Sequence, residues 1–296
     1  MIRRLPTAAA ALALLLAALT GCTSQPAPAA SGAPTPSVGE PRITTGLSYV
    51  PGGTSEQTLD ACIPRGGSAP RPAVVVVHGG SFLSGDKATQ GLRYICTRLA
   101  RAGYDAFSID YRLLPGSPYP AALHDLQAAI RWIRADAQVS RFGLDPKRIG
   151  AFGESAGAVL VAENGTAGSG SLDSGTRTRA VVSLSTAPNF QLDPSQVSGD
   201  ALKLALGYLG CRSLKDCPAA KKASALAAVD PSDPPFLLAA SKGDWIPPQG
   251  SVQFAGALKK AGIPVELDIE DGSGHGLQLV TPDLAKKVLA FYAEHL

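Results

Sequence analysis

Charge is scarce in this chain: Asp, Glu, Lys and Arg make up 17% of its 296 residues. A disordered chain carries more charge and less apolar mass than the 45% hydrophobic share found here. Apolar excess is missing too, because a mean hydropathy of +0.10 lies well below that of a multi-pass membrane protein. No Lys/Arg cluster interleaved with aromatics occurs, so the footprint of a nucleic-acid binder is absent. There is no CxxC pair and no histidine close to a cysteine, which removes the common zinc spacings. Neither an internal repeat nor an appended carbohydrate-binding or surface-binding repeat is visible. What is left is a globular chain, long enough for one large domain or two small ones.

The first residues differ from the rest. Arg3 and Arg4 precede an apolar run over residues 7–19. The run is shorter than the about 20 residues a membrane span needs, but it suits the core of a signal peptide. Leu19-Thr20-Gly21-Cys22 then resembles a bacterial lipobox. That resemblance implies cleavage behind Gly21, a lipid on Cys22 and a protein anchored on the extracytoplasmic face of the cell membrane. Two or three acyl chains hold far better than one. Ordinary secretion with Cys22 retained is the alternative. Residues 1–21 carry two positive charges and no acid, so the formal +3 less 2 leaves +1. The working protein is therefore nearly neutral, and its basic pI argues for no nucleic-acid partner. Residues 22–41 are almost all Pro, Ala, Ser, Gly and Thr, which bury too little apolar surface to fold. They read as a disordered tether ahead of a domain over residues 42–296.

Cysteine usage agrees with export. Setting Cys22 aside leaves Cys62, Cys96, Cys211 and Cys217, and four cysteines allow three pairings. Cys211 and Cys217 are close enough for a small disulfide loop, and Cys62 would then pair with Cys96. An oxidising compartment favours such bridges over free thiols.

From residue 72 the chain alternates between two patterns. Residues 73–77 are a continuous β-branched run, as in a strand buried on both faces. Further strands are predicted at 104–109, 148–152, 181–184, 236–240 and 265–269. Helices are predicted at 92–101, 120–137, 155–162, up to about 261 and at 282–294. In the second of these, Leu123, Leu126, Ile130 and Ile133 form one stripe. This alternation implies an α/β fold with a mostly parallel sheet and helices on both faces. Residues 43–50 and 58–63 read as an antiparallel edge pair.

Chemistry in such sheets gathers beyond the strand ends. Gly153-Glu154-Ser155-Ala156-Gly157 stands between a strand and a helix. A serine on so sharp a turn projects its hydroxyl above the sheet, and glycines two positions away relieve the crowding. Ser155 is the candidate nucleophile. His78-Gly79-Gly80-Ser81-Phe82 follows residues 73–77 and offers amides for an oxyanion hole. Gly80 and Ser81 are the expected donors from this loop, Gly79 shapes it, and the amide of Ala156 completes the set. His78 precedes the serine, the wrong order for a base on this fold, and is expected to hydrogen-bond the loop. The order Ser–acid–His places the acid at Asp244 in ASKGDW and the base at His275 in DGSGHG. His275 would take and return the proton while Asp244 fixes its tautomer. His124, on a helix face, and His295, at the terminus, are weaker bases by position. Asp271, Glu270 and Asp233 compete with Asp244, and Asp110 reads as structural. Trp245, next to the acid, either lines the acyl pocket or packs.

Together HGGSF, IDYRLLP, PAALHDLQAAIRWIRA, RIGAFGESAG, GD and GSGHG resemble the bacterial α/β-hydrolase carboxylesterases related to hormone-sensitive lipase. The acetyl-esterase and acetyl-xylan/feruloyl-esterase branches are also similar. The resemblance spans residues 42–296. It implies an α/β-hydrolase fold with an eight-stranded sheet, a Ser155–Asp244–His275 triad, ester hydrolysis through an acyl-enzyme, and neither metal nor cofactor. The departures are informative. Position 81 is serine where the group usually has a third glycine, and the N-terminal helical cap of that group has no counterpart. Residues 188–235, which include Cys211 and Cys217, are the candidate lid. A reduced lid implies small esters with short acyl groups. An amidase or peptidase with the same triad, and a non-catalytic binding protein on the same fold, are the other readings.

Overall fold

The protein is described from a computed structural model, which defines residues 1–2, 34–192 and 199–296. Most of the segment read as a signal peptide, Cys22, and most of the segment read as a tether lie outside the described residues. Residues 193–198 of the candidate lid do too. The end of the tether departs from the sequence reading. Ser37 N–H donates to the Arg101 carbonyl at 2.9 Å and Val38 N–H to that of Arg65 at 2.7 Å. Glu40 pairs with Arg101 at 2.7 Å. Backbone hydrogen bonds thus attach residues 37–40 to the domain although their composition gives them little to bury.

Eight strands form one sheet: β1 Arg42–Ser48, β2 Thr58–Ile63, β3 Arg71–Val77, β4 Asp105–Ile109, β5 Leu144–Glu154, β6 Ala180–Leu184, β7 Phe236–Ser241 and β8 Val265–Glu270. Their order is β1-β2-β4-β3-β5-β6-β7-β8. The β1–β2 and β2–β4 pairs are antiparallel, and the rest are parallel. β3 shows why the sheet is sandwiched. Ala73, Val75 and Val77 join the core on one face, Val74 and Val76 the core on the other, and all five are inaccessible to solvent. Each of the four valines contributes about 1.5–3 kcal/mol by leaving water.

The helices are α1 Gln90–Arg101, α2 Ala121–Arg134, α3 Asp136–Phe142, α4 Ala156–Gly165, α5 Gly199–Leu209, α6 Pro218–Lys222, α7 Ala225–Ala228, α8 Gln249–Lys260 and α9 Pro282–His295. The single helix predicted over 120–137 is broken at Ala135, whose backbone is extended, and restarts as α3. Cys62 on β2 is bonded to Cys96 on α1, clamping that helix to the sheet. Cys211 and Cys217 are bonded within the candidate lid segment, between α5 and α6. Among the described residues no helix is long and apolar enough to cross a membrane.

The connections from β3 and β5 leave in opposite directions, to β4 and to β6. A sheet of this kind opens a crevice where neighbouring strands diverge in this way. Val77 is level with Gly153, Glu154 with Leu184, and Leu184 with Ala239. The loops that follow these strands therefore meet at one place.

Candidate active site

The turn after β5 is set by two glycines. A Cβ at Gly153 would lie 2.3 Å from the Gly157 carbonyl oxygen, and one at Gly157 would lie 2.2 Å from that of Val77. Helix α4 can therefore start directly against the ends of β3 and β5 only with glycine at both positions. The turn forces Ser155 to φ 53° and ψ −117°, a conformation that serine rarely adopts. Its amide donates to the Leu184 carbonyl at 2.9 Å, anchoring the turn across to β6.

Three side chains from three strand ends then line up. His275 Nε2 lies 2.9 Å from Ser155 Oγ, and His275 Nδ1 lies 2.8 Å from Asp244 Oδ1. Asp244 follows β7 and is buried; His275 follows β8, its side chain 23% exposed. The structure thus joins the three residues that chain order selects. The histidine loop is held from below by Ser241, whose hydroxyl donates to the Gly274 carbonyl at 2.7 Å. Left-handed backbone at Gly272 (φ 94°) and Gly276 (φ 55°) gives that loop its bend.

Competing residues are used elsewhere. His124 is exposed on α2, and His295 packs edge-on against Phe291. Asp271 pairs with Lys242, Asp233 with Arg177 and Asp110 with Lys87. Glu270 closes β8 opposite Ser241.

Three further residues complete the site. Ser185, one residue beyond β6, is 1% exposed and sits at φ 55°. Its hydroxyl donates to Asp244 Oδ2 at 2.6 Å and accepts from the Gly276 amide at 2.9 Å. It therefore ties the acid to the histidine loop. The Ile246 amide donates to Asp244 Oδ1 at 3.0 Å, so both carboxylate oxygens are held. Glu154, beside the nucleophile, accepts from the Gly79 amide at 2.5 Å. Burial pushes its carboxyl up, against the opposing pull of that amide and of His275.

The Glu154 contact sharpens the oxyanion assignment. The Gly79 amide is already engaged and serves only to fix the loop. Gly80 makes a tight turn, its carbonyl accepting from Leu83 and Ser84. Ser81 and Phe82 follow with φ 57° and 62°, in the left-handed region. Among the described residues no protein group accepts from the amides of Gly80 or Ser81. Ala156 opens α4, so its amide has no partner within the helix. Ser81, Phe82 and Ala156 line the cavity beside Ser155. His78 lies beneath the loop. Its Nδ1 is 2.6 Å from the Gly79 carbonyl oxygen, its ring stacks on Tyr111 at 4.3 Å, and the Tyr111 hydroxyl donates to its carbonyl. Burial pushes the His78 imidazole down, which favours the neutral form.

The cavity encloses about 480 Å³ and is mostly apolar. Phe82, Val159, Phe190 and Tyr208 wall it, and Trp245 stands at the imidazole with ring centroids 5.0 Å apart. Trp245 is 54% exposed, so it lines the site and does not pack in the core.

Known proteins are similar to this chain over part or most of its length. Esterase LipI of Mycobacterium tuberculosis is 42% identical over 96 residues, 32% of this chain and 28% of that protein. Carboxylic ester hydrolase LipN of the same organism is 39% identical over 114 residues, 38% of this chain and 29% of that protein. The chain thus spans under a third of the length of these curated relatives. Among solved structures, a truncated form of a carbohydrate esterase from gut microbiota superposes with a TM-score of 0.76. It is 22% identical and is covered over 96% of its length, against 86% of this chain. The acetyl ester-xyloside bifunctional hydrolase of Caldicellulosiruptor lactoaceticus gives a TM-score of 0.67 at 26% identity, covering 79% of this chain and 87% of that one. The fold is that of the esterase α/β-hydrolases. The BD-FAE family profile matches residues 59–258, from β2 to the last turns of α8, and the chain belongs to that family.

Proposed function

We propose that this protein is a serine carboxylesterase acting on small esters with short acyl groups. The observation that carries the reading is the line Ser155 Oγ, His275 Nε2, His275 Nδ1, Asp244 Oδ1, with spacings of 2.9 and 2.8 Å, at a cavity edged by free amides. His275 takes the Ser155 proton as Oγ attacks the ester carbonyl. The amides of Ser81 and Ala156, with Gly80 behind them, receive the oxyanion. His275 then protonates the leaving alkoxide, and an acyl group stays on Ser155. Water, activated by the same imidazole, releases the acid. Asp244 holds the imidazole tautomer and stabilises its cation. The names of LipI, an esterase, and LipN, a carboxylic ester hydrolase, support this chemistry, and the bulky rings of Phe82, Phe190 and Tyr208 on the cavity wall support a short acyl group.

Ser155→Ala is the test. It should lower kcat on p-nitrophenyl butanoate by about 10⁴-fold or more while leaving the unfolding midpoint near that of wild type. Wild-type protein quenched on that ester should carry a butanoyl adduct on the peptide containing Ser155. Activity retained in Ser155→Ala would refute the mechanism. Amides and peptides run beside the esters separate an esterase from an amidase with the same triad.

The N-terminal reading is part of this proposal. Export with a lipid on Cys22 places the enzyme outside the cytoplasm, and two disulfides suit an oxidising compartment. The mass of the native N-terminal peptide tests it.

A further inference from the structure

Helix α4 begins at the nucleophile, and all ten of its residues are buried. Two turns along it stands Glu163, a carboxyl with no cation. Its Oε2 accepts from the Tyr208 hydroxyl at 2.7 Å, and its Oε1 has no partner among the described residues. The titratable groups that face it are two phenols, Tyr208 from α5 and Tyr119 from the loop before α2. On the neighbouring α2, His124 and Arg131 are exposed, Asp125 is paired with Arg112, and Arg134 binds backbone carbonyls. Helix α7 carries no charge. A lone buried carboxyl in such surroundings is stable only as the neutral acid, and burial pushes Glu163 well up.

Tyr208 joins three parts of the site. Its ring stacks on Phe82 of the oxyanion loop at 3.9 Å and 12°. It leans on Phe190 at 5.4 Å, and its carbonyl accepts from the Tyr119 amide at 2.6 Å. It also lines the cavity. The leaving alkoxide must face His275 to collect its proton, which leaves to the acyl group the cavity that Phe82 and Tyr208 line. We propose that the Glu163–Tyr208 hydrogen bond is a latch that fixes this inner wall and sets the longest acyl chain accepted. Tyr208 is the specificity-determining residue and Glu163 a positioning residue that never meets substrate. The proposal rests on the ester-hydrolase reading and adds the residue pair that limits its substrates.

The test compares wild type with Tyr208→Ala, Tyr208→Phe, Glu163→Ala and Glu163→Gln on p-nitrophenyl acetate, butanoate, octanoate and dodecanoate. Tyr208→Ala should raise the octanoate-to-butanoate ratio of kcat/KM about tenfold or more, mainly through KM. Tyr208→Phe and Glu163→Ala should move the ratio the same way by less. Glu163→Gln should return it to the wild-type value, because a neutral amide still accepts from the phenol. An unchanged ratio in Tyr208→Ala and Tyr208→Phe overturns the proposal. The second readout needs no catalysis: urea unfolding of wild type and Glu163→Gln from about pH 5 to about pH 9. The folded acid keeps a proton that the unfolded chain sheds, so wild type should lose stability relative to Glu163→Gln as pH rises. Parallel profiles would mean an ionised carboxylate and would overturn the neutral-acid assignment, while the ester ratios decide the latch. If wild type hydrolyses none of the four esters, it is the ester-hydrolase reading that fails, and the unfolding profiles still decide the protonation of Glu163.

Discussion

Ser185 offers the sharpest perturbation of the proposed triad, because its hydroxyl bonds Asp244 and the Gly276 amide but not Ser155 or the ring of His275. Ser185→Ala deletes a 2.6 Å bond to Asp244 and leaves the Gly276 amide without its acceptor. A hydrogen bond to a charged group contributes about 1.5–3 kcal/mol, and an orphaned buried donor costs about 1–3 kcal/mol. The two overlap, since the loop can relax, and a net loss of about 3 kcal/mol is expected. In a domain of this size that lowers the unfolding midpoint by about 6–12 °C. The catalytic effect has a different origin. With one Asp244 oxygen released and the histidine loop untied, the imidazole no longer sits in line with Ser155 Oγ. Misplacement of a reacting group by about 1 Å costs on the order of 100-fold, so kcat should fall about 10- to 100-fold with little change in KM. Ser185→Gly separates the two contributions. It removes the same hydroxyl but relieves the left-handed backbone at φ 55°, and should be about 1 kcal/mol more stable than Ser185→Ala with equally poor kcat. Initial rates on p-nitrophenyl butanoate and thermal unfolding of both variants are the assays. If Ser185→Ala keeps kcat within about twofold of wild type, the claim that Ser185 holds the acid in place is wrong.

Three other outcomes are expected. Gly157→Ala would set a Cβ 2.2 Å from the Val77 carbonyl oxygen, and backbone cannot yield there cheaply; it should cost about 3 kcal/mol or more, seen as lost soluble protein or a much lower midpoint. Replacing Cys62 and Cys96 by alanine opens a loop with a sequence separation of 34; chain entropy predicts a loss of about 4 kcal/mol in chemical unfolding. The same change at Cys211 and Cys217, separated by 6, should cost about 2 kcal/mol by that estimate. The third concerns acid. The unfolded chain takes up a proton at His78 below about pH 6.5, while the buried folded imidazole resists it. Stability should therefore fall as pH drops through that range, by up to about 1.4 kcal/mol per pH unit until the lowered folded pKa is reached. His78→Gln should flatten the fall, and an unchanged pH slope would show that the folded imidazole takes up the proton as readily as the unfolded one.

The main lines of the fold were open to the sequence because its core strands are buried on both faces. Ala73 to Val77, all apolar and mostly β-branched, leaves no helical reading that fits the flanking punctuation. The break at Ala135 was hidden, since residues 120–137 keep helical composition across it. Residues 37–40 differ from the tether their composition suggests for another reason. Their composition gives no reason to fold, and what holds them is backbone hydrogen bonding to Arg65 and Arg101, which composition does not report.

The site divides along the same line. Ser155 and His275 carry their own backbone signature, because a nucleophile elbow and a bent histidine loop both need glycines nearby. Asp244 was found from its place after a strand. Glu154, Ser185 and Glu163 have no such local mark. Their partners lie 75, 59 and 45 residues away, and each role exists only once the strands are in register. Ser185 follows β6 as any serine may follow a strand. Glu154 occupies the variable position of the GxSxG pattern, where the motif itself says nothing. Glu163 falls just past the helix predicted over 155–162, where a polar residue usually means the chain is returning to solvent. In fact α4 runs on to Gly165 and is buried all round, so its one acid has no water to face. A carboxyl on a helix that has no polar side must find its partner in another element. In this protein that element is helix α5 of the candidate lid, through Tyr208, so Glu163 links the helix that follows Ser155 to the cavity wall.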